Sequence, residues 1–502
     1  MWITKKAANF FISNLTIKLQ HSNYNTQIYI MKYLIVLLFL PIFSFSQIQI
    51  GQNIDGEAVG DYFGNSISLS ADGTIIAIGA NQNDANGTNS GQVRIYKNVS
   101  ENWIQIGDDL DGPTGNSFFG RSVSISDDGN IVAISGTALD VNGDRFVQLR
   151  IFENILGVWT QIGADINNIM EQSYSNSIVR LSGDGTVLAI CMPYNGLIRS
   201  GIVRIFNNIS GIWTQIGSDF TANTSSPFPF DTIFSADLSK DGNRLVIKYA
   251  GYDTVNNRDA LYENQSGIWT FIRGFNYNLF SSSRSLSADG RIIAFGYKGD
   301  DENLGYVRIY QQQADTWTQM GNDIEGEIMG DETGWEVSLS SDGSIIAIGA
   351  PSTSENAENS GQVRIYKFQS GNWTEVGNGI NGEAEEDYLG ERISLSVDGS
   401  IVAVSSPYYS SHVRVFDLTE VLSTQEETLT SFKLYPNPTK NHVTIQLETG
   451  LILEIATIYN TLGQVVLIAT ETTINTSKLS SGTYVIEIKT NKGKSSKKLI
   501  IE

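Results

Sequence analysis

Catalysis at neutral pH needs nucleophiles, proton carriers or metal ligands held at fixed spacing, and few residues of this chain qualify. Its histidines are His21, His412 and His442, and its one cysteine is Cys191. No Ser-His-Asp set, His-rich metal cluster or phosphate-binding loop is legible. The sequence therefore predicts no catalytic residue, no metal site and no cofactor. The segment Asp140-Val141-Asn142-Gly143-Asp144 has the composition of a weak cation loop, but in an Asn/Gly-rich stretch the same residues build an ordinary turn. Acids are the exception to this scarcity. Of 33 basic and 54 acidic residues, twelve bases and five acids lie outside 47–430, which leaves that stretch at a net charge of −28. Carboxylate pairs of the kind that hydrolyse glycosides are guaranteed there by number alone, and their separation exists only in a fold. The same charge repels nucleic acid and anionic membranes.

The elements that must position these acids come from a repeat. Asp-Gly pairs fall at Asp72-Gly73, Asp128-Gly129, Asp184-Gly185, Asp241-Gly242, Asp289-Gly290, Asp342-Gly343 and Asp398-Gly399. Successive glycines stand 56, 56, 57, 48, 53 and 56 residues apart, a period that means stacked or radially arranged units. In the first unit Ile67 and Leu69 alternate with Ser68 and Ser70, the pattern of a half-buried strand. Asp72-Gly73 closes a tight turn. Thr74 to Ala80 is a continuously apolar strand, Gln92 to Tyr96 a third and Trp103 to Ile106 a fourth. Four short antiparallel strands per unit is the composition of a propeller blade. Trp159, Trp213, Trp269, Trp317 and Trp373 repeat the tryptophan that opens the fourth strand, and we read them as packing between neighbouring units.

The seventh unit stops at Val415-Phe416 and lacks its fourth strand. The missing piece stands ahead of the first unit, as Ile48-Gln49-Ile50-Gly51. A closed ring completed by its own N-terminus removes an exposed edge, whereas an open solenoid needs capping units. The chain is thus expected to be all-β: a seven-bladed β-propeller over 47–418, a linker at 419–430, and a small C-terminal β-sandwich over 431–502. Cys191, in the second strand of the third unit, is expected to be a buried small hydrophobe. Units four and five break the consensus most, at Arg244, Lys248, Tyr252 and Asn276 to Asn278; relaxed packing and a specialised site both fit.

Connection lengths distinguish two faces. The Asp-Gly turns and the short third-to-fourth turns share one end of each blade. The longer connections share the other, and long loops on a rigid scaffold are where binding usually lives. The candidate ligand-contacting residues on that face are Asp61, Tyr62, Asp331, Glu332, Asp387 and Tyr388.

Met31-Lys32-Tyr33 followed by Leu34 to Phe45 has the form of a secretory signal ending at Ser46, so residues 31–46 read as a signal peptide, Gln47 as the mature start, and residues 1–30 as an over-extended beginning. No later apolar run is long enough to span a membrane as a helix. Near the C-terminus stand Tyr435-Pro436-Asn437-Pro438, Leu462-Gly463-Gln464, Ser481-Gly482-Thr483-Tyr484 and Lys497-Lys498-Leu499-Ile500-Ile501. In order and spacing they resemble the type A C-terminal sorting domain of the type IX secretion system of Bacteroidota. That resemblance implies recognition of residues 431–502 by the type IX translocon and its sortase, and a secreted or cell-surface destination. The repeats resemble, more loosely, the FG-GAP repeats of integrin-α-type propellers, through Phe63-Gly64, Ile78-Gly79-Ala80 and Gly91-Gln92-Val93-Arg94-Ile95-Tyr96. That family often holds calcium in the first turn. Here the turn is only Ser-x-Asp-Gly, with too few oxygens for calcium, and the metal site is not carried over.

The expected function is a binding or adhesion module whose loop face takes a glycan or protein ligand. A secreted glycosidase or lyase, and a structural surface or matrix component, are the alternatives.

Overall fold

The computed structural model describes residues 47–139, 145–166, 177–193, 201–221, 232–250, 258–276, 281–299, 304–423, 432–447, 451–460, 464–490 and 493–502. Residues 1–46, the Asp140–Asp144 loop, Tyr252, Tyr277 and Asn278 lie outside them.

Among the described residues each repeat folds into one antiparallel sheet built on four strands, seven sheets in all, and five of them carry a short fifth strand. Their first strands are Phe63–Leu69, Ser122–Ile125, Ile178–Leu181, Thr232–Leu238, Ser283–Leu286, Val337–Leu339 and Arg392–Leu395. Each first strand touches the first strands of the two neighbouring sheets, and the seventh touches the first. These strands therefore line a closed ring of seven blades. In the seventh blade Ile48–Gln49 pairs with His412–Asp417, Ile48 opposite Asp417 and Gln49 opposite Phe416, and Ile54–Asp55 adds to the same strand. The circular closure expected from the missing fourth strand is present.

The Ser-x-Asp-Gly turn does two jobs. Within the turn, Ser70 Oγ donates to Asp72 Oδ1 at 2.7 Å and accepts from the Ile75 N–H at 2.9 Å, while the Thr74 N–H donates to Asp72 at 3.0 Å. Burial alone would raise the Asp72 carboxyl, but these hydrogen bonds outweigh it and hold it below its usual range. Asp128, Asp184, Asp342 and Asp398 behave likewise. Gly73 has φ +69°, and a Cβ there would lie 2.6 Å from Ile401 of the neighbouring blade, so glycine serves both the turn and the close approach.

Between turns, the residue before the aspartate links each blade to the next through the backbone. The N–H groups of Ala71, Asp127, Gly183, Ala288, Ser341 and Val397 donate to the carbonyls of Asp127, Gly183, Lys240, Ser341, Val397 and Ala71. Asp241 N–H to the Ala288 carbonyl, at 3.0 Å, supplies the remaining link. The result is a continuous hydrogen-bonded hoop around the axis.

A second set of links lies further up the first strands. Ser68, Ser124, Ser285, Ser338 and Ser394 each accept the backbone N–H of the next blade, from Ile125, Leu181, Leu339, Leu395 and Leu69, at 2.9–3.1 Å. The two remaining stations carry Arg180 and Asp237, which bond each other instead, Nε to Oδ1 at 2.7 Å.

The tryptophans lie between blades as expected. Trp103, Trp159 and Trp373 donate their indole N–H to the carbonyls of Ile50, Ile106 and Met320 in the preceding blade, at 2.7–2.9 Å. Cys191 is buried and free of disulfide.

Blades four and five depart from this apolar scheme through a buried ionic layer. Arg244, 6 % exposed, donates to Glu263 at 2.8 and 3.0 Å and to Gln312 of blade five at 2.6 Å. Arg284 faces the fully buried Asp259 at 3.1 Å. Lys248 donates to the Ser281 carbonyl, and burial, reinforced by Arg284, pushes its amine down to about 6.

Part of the expected linker is ordered structure. Thr419–Ser423 forms a short helix whose Val421 is buried against blades six and seven, because Leu418 and Val421 extend the apolar face of their core cluster. Residues 424–430 lie outside the described residues.

Among its described residues the C-terminal domain has seven strands in two sheets. Lys433–Tyr435, His442–Gln446 and Thr473–Asn475 form one; Val465–Ala469, Leu453–Tyr459, Gly482–Thr490 and Gly493–Ile501 form the other. Phe432, Val443, Ile445, Ile458, Ile486 and Leu499 fill the space between them, as alternating inward positions of a sandwich must.

Candidate functional site

Where the long connections enter blades six, seven, one and two, one station recurs. Glu332, Tyr388, Tyr62 and Phe118 each stand two residues before a glycine, Gly334, Gly390, Gly64 and Gly120. All four have left-handed backbone, with φ +59°, +51°, +57° and +47°. The residue before each is buried or half-buried and the residue after is buried, whereas the station itself is half-exposed. The left-handed turn thus leaves one side chain outside between two anchors, at a conformational cost of about 1 kcal/mol for a non-glycine residue.

The anchors explain the acids singled out on this face. Asp387 is fully buried and accepts the N–H groups of Glu383 and Ala384 at 2.7 and 2.9 Å, and the Ser410 hydroxyl. Asp331, 2 % exposed, accepts the Thr333 N–H and hydroxyl at 2.8 and 2.9 Å. Both carboxylates are buried and hydrogen-bonded, Asp331 within its own loop and Asp387 by its own loop and by Ser410 of another, as a buried carboxylate must be. Asp61 is half-buried and accepts from Asn83 at 2.9 Å. Glu332 takes Lys298 and Ser352, each at 2.9 Å.

The aromatic residues do come together. Tyr408, from the loop between the second and third strands of blade seven, meets Tyr62 edge-on at 5.4 Å and Tyr388 at 5.8 Å. Its hydroxyl donates to Glu391 at 3.2 Å, and burial with the Glu391 charge pushes it up to about 12. Glu391 also accepts the Trp335 indole N–H at 3.1 Å, and Lys298 lies 4.4 Å above the Trp335 ring. Tyr409 beside them is 60 % exposed. Phe118, Trp335, Tyr408 and Glu391 were not singled out from the sequence. Phe118 was legible, since it precedes Phe119-Gly120 as Tyr62 precedes Phe63-Gly64.

Below this mouth lies the axis. Glu336, just ahead of the first strand of blade six, is reached by the charges of Arg392 on blade seven, Arg180 on blade three and Asp237 on blade four. Only at the centre of the ring do those blades meet. Burial, reinforced by Asp237 and Glu391 and opposed by the two arginines, pushes its carboxyl up to about 7. The folded-state value lies above the ordinary 4.5, so the stability it permits is full below that pH and is lost as pH rises toward 7. Glu336→Gln is neutral throughout. It is expected to match the parent at pH 4 and to exceed its unfolding free energy at pH 8 by about 2 kcal/mol. Urea titrations at the two pH values check this; an equal difference at both would sink it.

His412, the propeller's only histidine, is 5 % exposed, and burial together with Arg414 lowers its pKa against the pull of Asp387. Ser410 donates directly to Asp387, so these two residues are not arranged as the hydroxyl and carboxylate of a Ser-His-Asp triad, which an imidazole separates. Among the described residues no three His, Cys, Asp or Glu side chains converge as metal ligands.

Residues 433–502 match the profile of the secretion system C-terminal sorting domain. The chain is exported by the type IX route to a secreted or cell-surface location. Residues 54–96, the start of the first blade, match the FG-GAP repeat. No curated protein matches the chain. Among solved structures, a chain of the mitotic checkpoint complex is 14 % identical, covering 75 % of this chain and 94 % of that one with a TM-score of 0.49. The β-propeller domain of Cps50 (Swd1) from Myceliophteria thermophila is 11 % identical over 73 % and 99 %, also at 0.49. A putative 6-phosphogluconolactonase from Bacteroides uniformis is 10 % identical over 64 % and 86 %, at 0.43. No helix among the described residues is long and apolar enough to cross a membrane.

Proposed function

We propose that this exported propeller is a binding module, and that its ligand seats on the mouth formed by blades six, seven, one and two. The observation that supports this reading is the shared station of Glu332, Tyr388, Tyr62 and Phe118: four neighbouring blades bear the cost of left-handed backbone and leave an acid or a ring outside. Stability alone does not call for that arrangement, since glycine adopts the same backbone freely.

The reading has a direct test. Tyr62→Gly with Tyr388→Gly removes two rings and relieves two left-handed positions. The double variant is expected to melt at or above the parent temperature while affinity for the ligand falls by about tenfold or more, the worth of one or two aromatic contacts. Glycan-array binding and pull-down of extracellular proteins with the full chain supply the ligand. Unchanged binding by the double variant overturns the proposal.

A hydrolytic reading has one observation in its favour, the raised carboxyl of Glu336, which would suit a general acid. Its neighbours weigh against that role: Asp237 is bonded to Arg180, and Glu391 is bonded to Trp335, Tyr408 and Arg392 at 3.1–3.2 Å. Among the described residues no second carboxylate there is left unbonded to act as base or nucleophile. Polysaccharide turnover by the parent that is lost in Glu336→Gln would favour the enzyme.

A further inference from the structure

The mouth carries one local charge that contradicts its domain. Between 47 and 430 the chain holds far more acids than bases, and most arginines of the propeller are matched: Arg150 with Asp165, Arg204 with Asp219, Arg308 with Asp323, Arg364 with Glu327, Arg414 with Glu383. Arg121 is different. Among the described residues its guanidinium makes no hydrogen bond and no ion pair. It lies 5.3 Å from the Phe118 ring, and Arg145 lies 5.6 Å from the same ring. Burial lowers the Arg121 pKa and the neighbouring Arg145 lowers it further, as two like charges in a partly desolvated corner must. Phe118 is one of the four mouth stations, and the carbonyl of Arg121 accepts from Asn65 of blade one at 3.2 Å. Asn65 follows Tyr62 by three residues, so the cationic corner lies on the blade next to the one that carries Tyr62.

Resting on the mouth as the ligand face, we infer that the ligand is an acidic saccharide, its carboxylate or sulfate received by Arg121 beside Phe118 and its sugar rings laid on the tyrosines. Flat aromatic faces suit sugar C–H surfaces, and a guanidinium with an open fork suits a planar or tetrahedral oxyanion. The bound anion would supply the opposite charge that Arg121 lacks. A protein partner would draw instead on the exposed apolar loop tips Val59, Ile328 and Met329, 77 %, 58 % and 60 % exposed.

The experiment uses the full chain and matched pairs of probes: a hexameric oligogalacturonate against its methyl ester, and a keratan sulfate oligosaccharide, which carries no carboxylate, against its desulfated form. The charged member of one pair is expected to bind about tenfold or more tightly than its partner, with affinity falling as salt rises. Which pair discriminates tells carboxylate from sulfate. Arg121→Gln is expected to erase that preference by bringing the affinity of the charged member down to about that of the neutral one. Arg121→Lys, which keeps the charge and loses the fork, is expected to retain part of it. Equal binding of charged and neutral members, or a preference that survives Arg121→Gln in a folded variant, overturns the inference and leaves the mouth intact as a binding face. A ligand that proves to be a protein lost on Val59→Ser with Met329→Ser also overturns it. Failure of the tyrosine-to-glycine test overturns the underlying reading instead.

Discussion

A chain that begins at Gly56 is expected to melt more than about 10 °C below the parent and to self-associate. The removed residues hold the ring at three places. Ile48–Gln49 and Ile54–Asp55 cover the outer side of His412–Asp417, and without them that strand becomes an open edge ready to pair with another molecule. Ile54, 5 % exposed, belongs to the core between blades seven and one, and its burial is worth about 2 kcal/mol. The Ile50 carbonyl receives Trp103 from blade one at 2.9 Å, and an orphaned indole N–H costs about 1–3 kcal/mol. The larger loss is topological. The two ends of the propeller are held in one sheet, so blade seven cannot leave without breaking strand pairs; once they are separate, terminal blades can open by themselves. Calorimetry and size-exclusion chromatography read both effects. A truncated chain that stays monomeric and melts cooperatively at the parent temperature would show that the ring does not depend on this strand.

The second large effect is expected at the Arg180–Asp237 pair. Arg180→Ser leaves Asp237, whose side chain is 14 % exposed, without its counter-ion, and is expected to destabilise the propeller by about 2 kcal/mol. Asp237→Ser strands Arg180, which is more exposed, and is expected to cost less. Combining them should restore nearly all of the loss. The introduced hydroxyls can take the backbone N–H groups of Leu238 and Leu286, as the other five stations do, and a buried ion pair is often no better than a neutral replacement. A double-mutant cycle by thermal unfolding isolates the pair. If the two losses simply add, the pair and the serines are not equivalent devices.

The turn chemistry and the interleaved tryptophans were legible because each is written locally, within one period, and repeated; the circular closure was legible because the strand missing from the seventh unit stands ahead of the first. What escaped was whatever depends on register between blades. Arg180 and Asp237 lie 57 residues apart, and nothing nearby marks them as partners. Arg244 and Lys248 stood out as breaks in pattern, but only the packing of blade four on blade five shows Gln312, Arg284 and Asp259 meeting them. Asp61, Asp331 and Asp387 occupy one repeat position and looked alike; Thr333 and Ser410, present in some loops and absent in others, decide which carboxylate is consumed. Glu336 sits where other blades carry serine, isoleucine or arginine, and its environment is assembled from three other blades. Val421 read as linker because its short helix follows the last strand and its burial is visible only against blades six and seven.

The hoop of main-chain bonds at the Ser-x-Asp-Gly turns has one more implication. Its seven stations hold Ala71, Asp127, Gly183, Lys240 or Asp241, Ala288, Ser341 and Val397, a set with no common size, polarity or charge. Because amides alone make the girdle, mutation can repaint that side of the disc without loosening it. The hoop positions can thus be furnished with tags and grafted peptides, provided the Ser and Asp that shape each turn are kept.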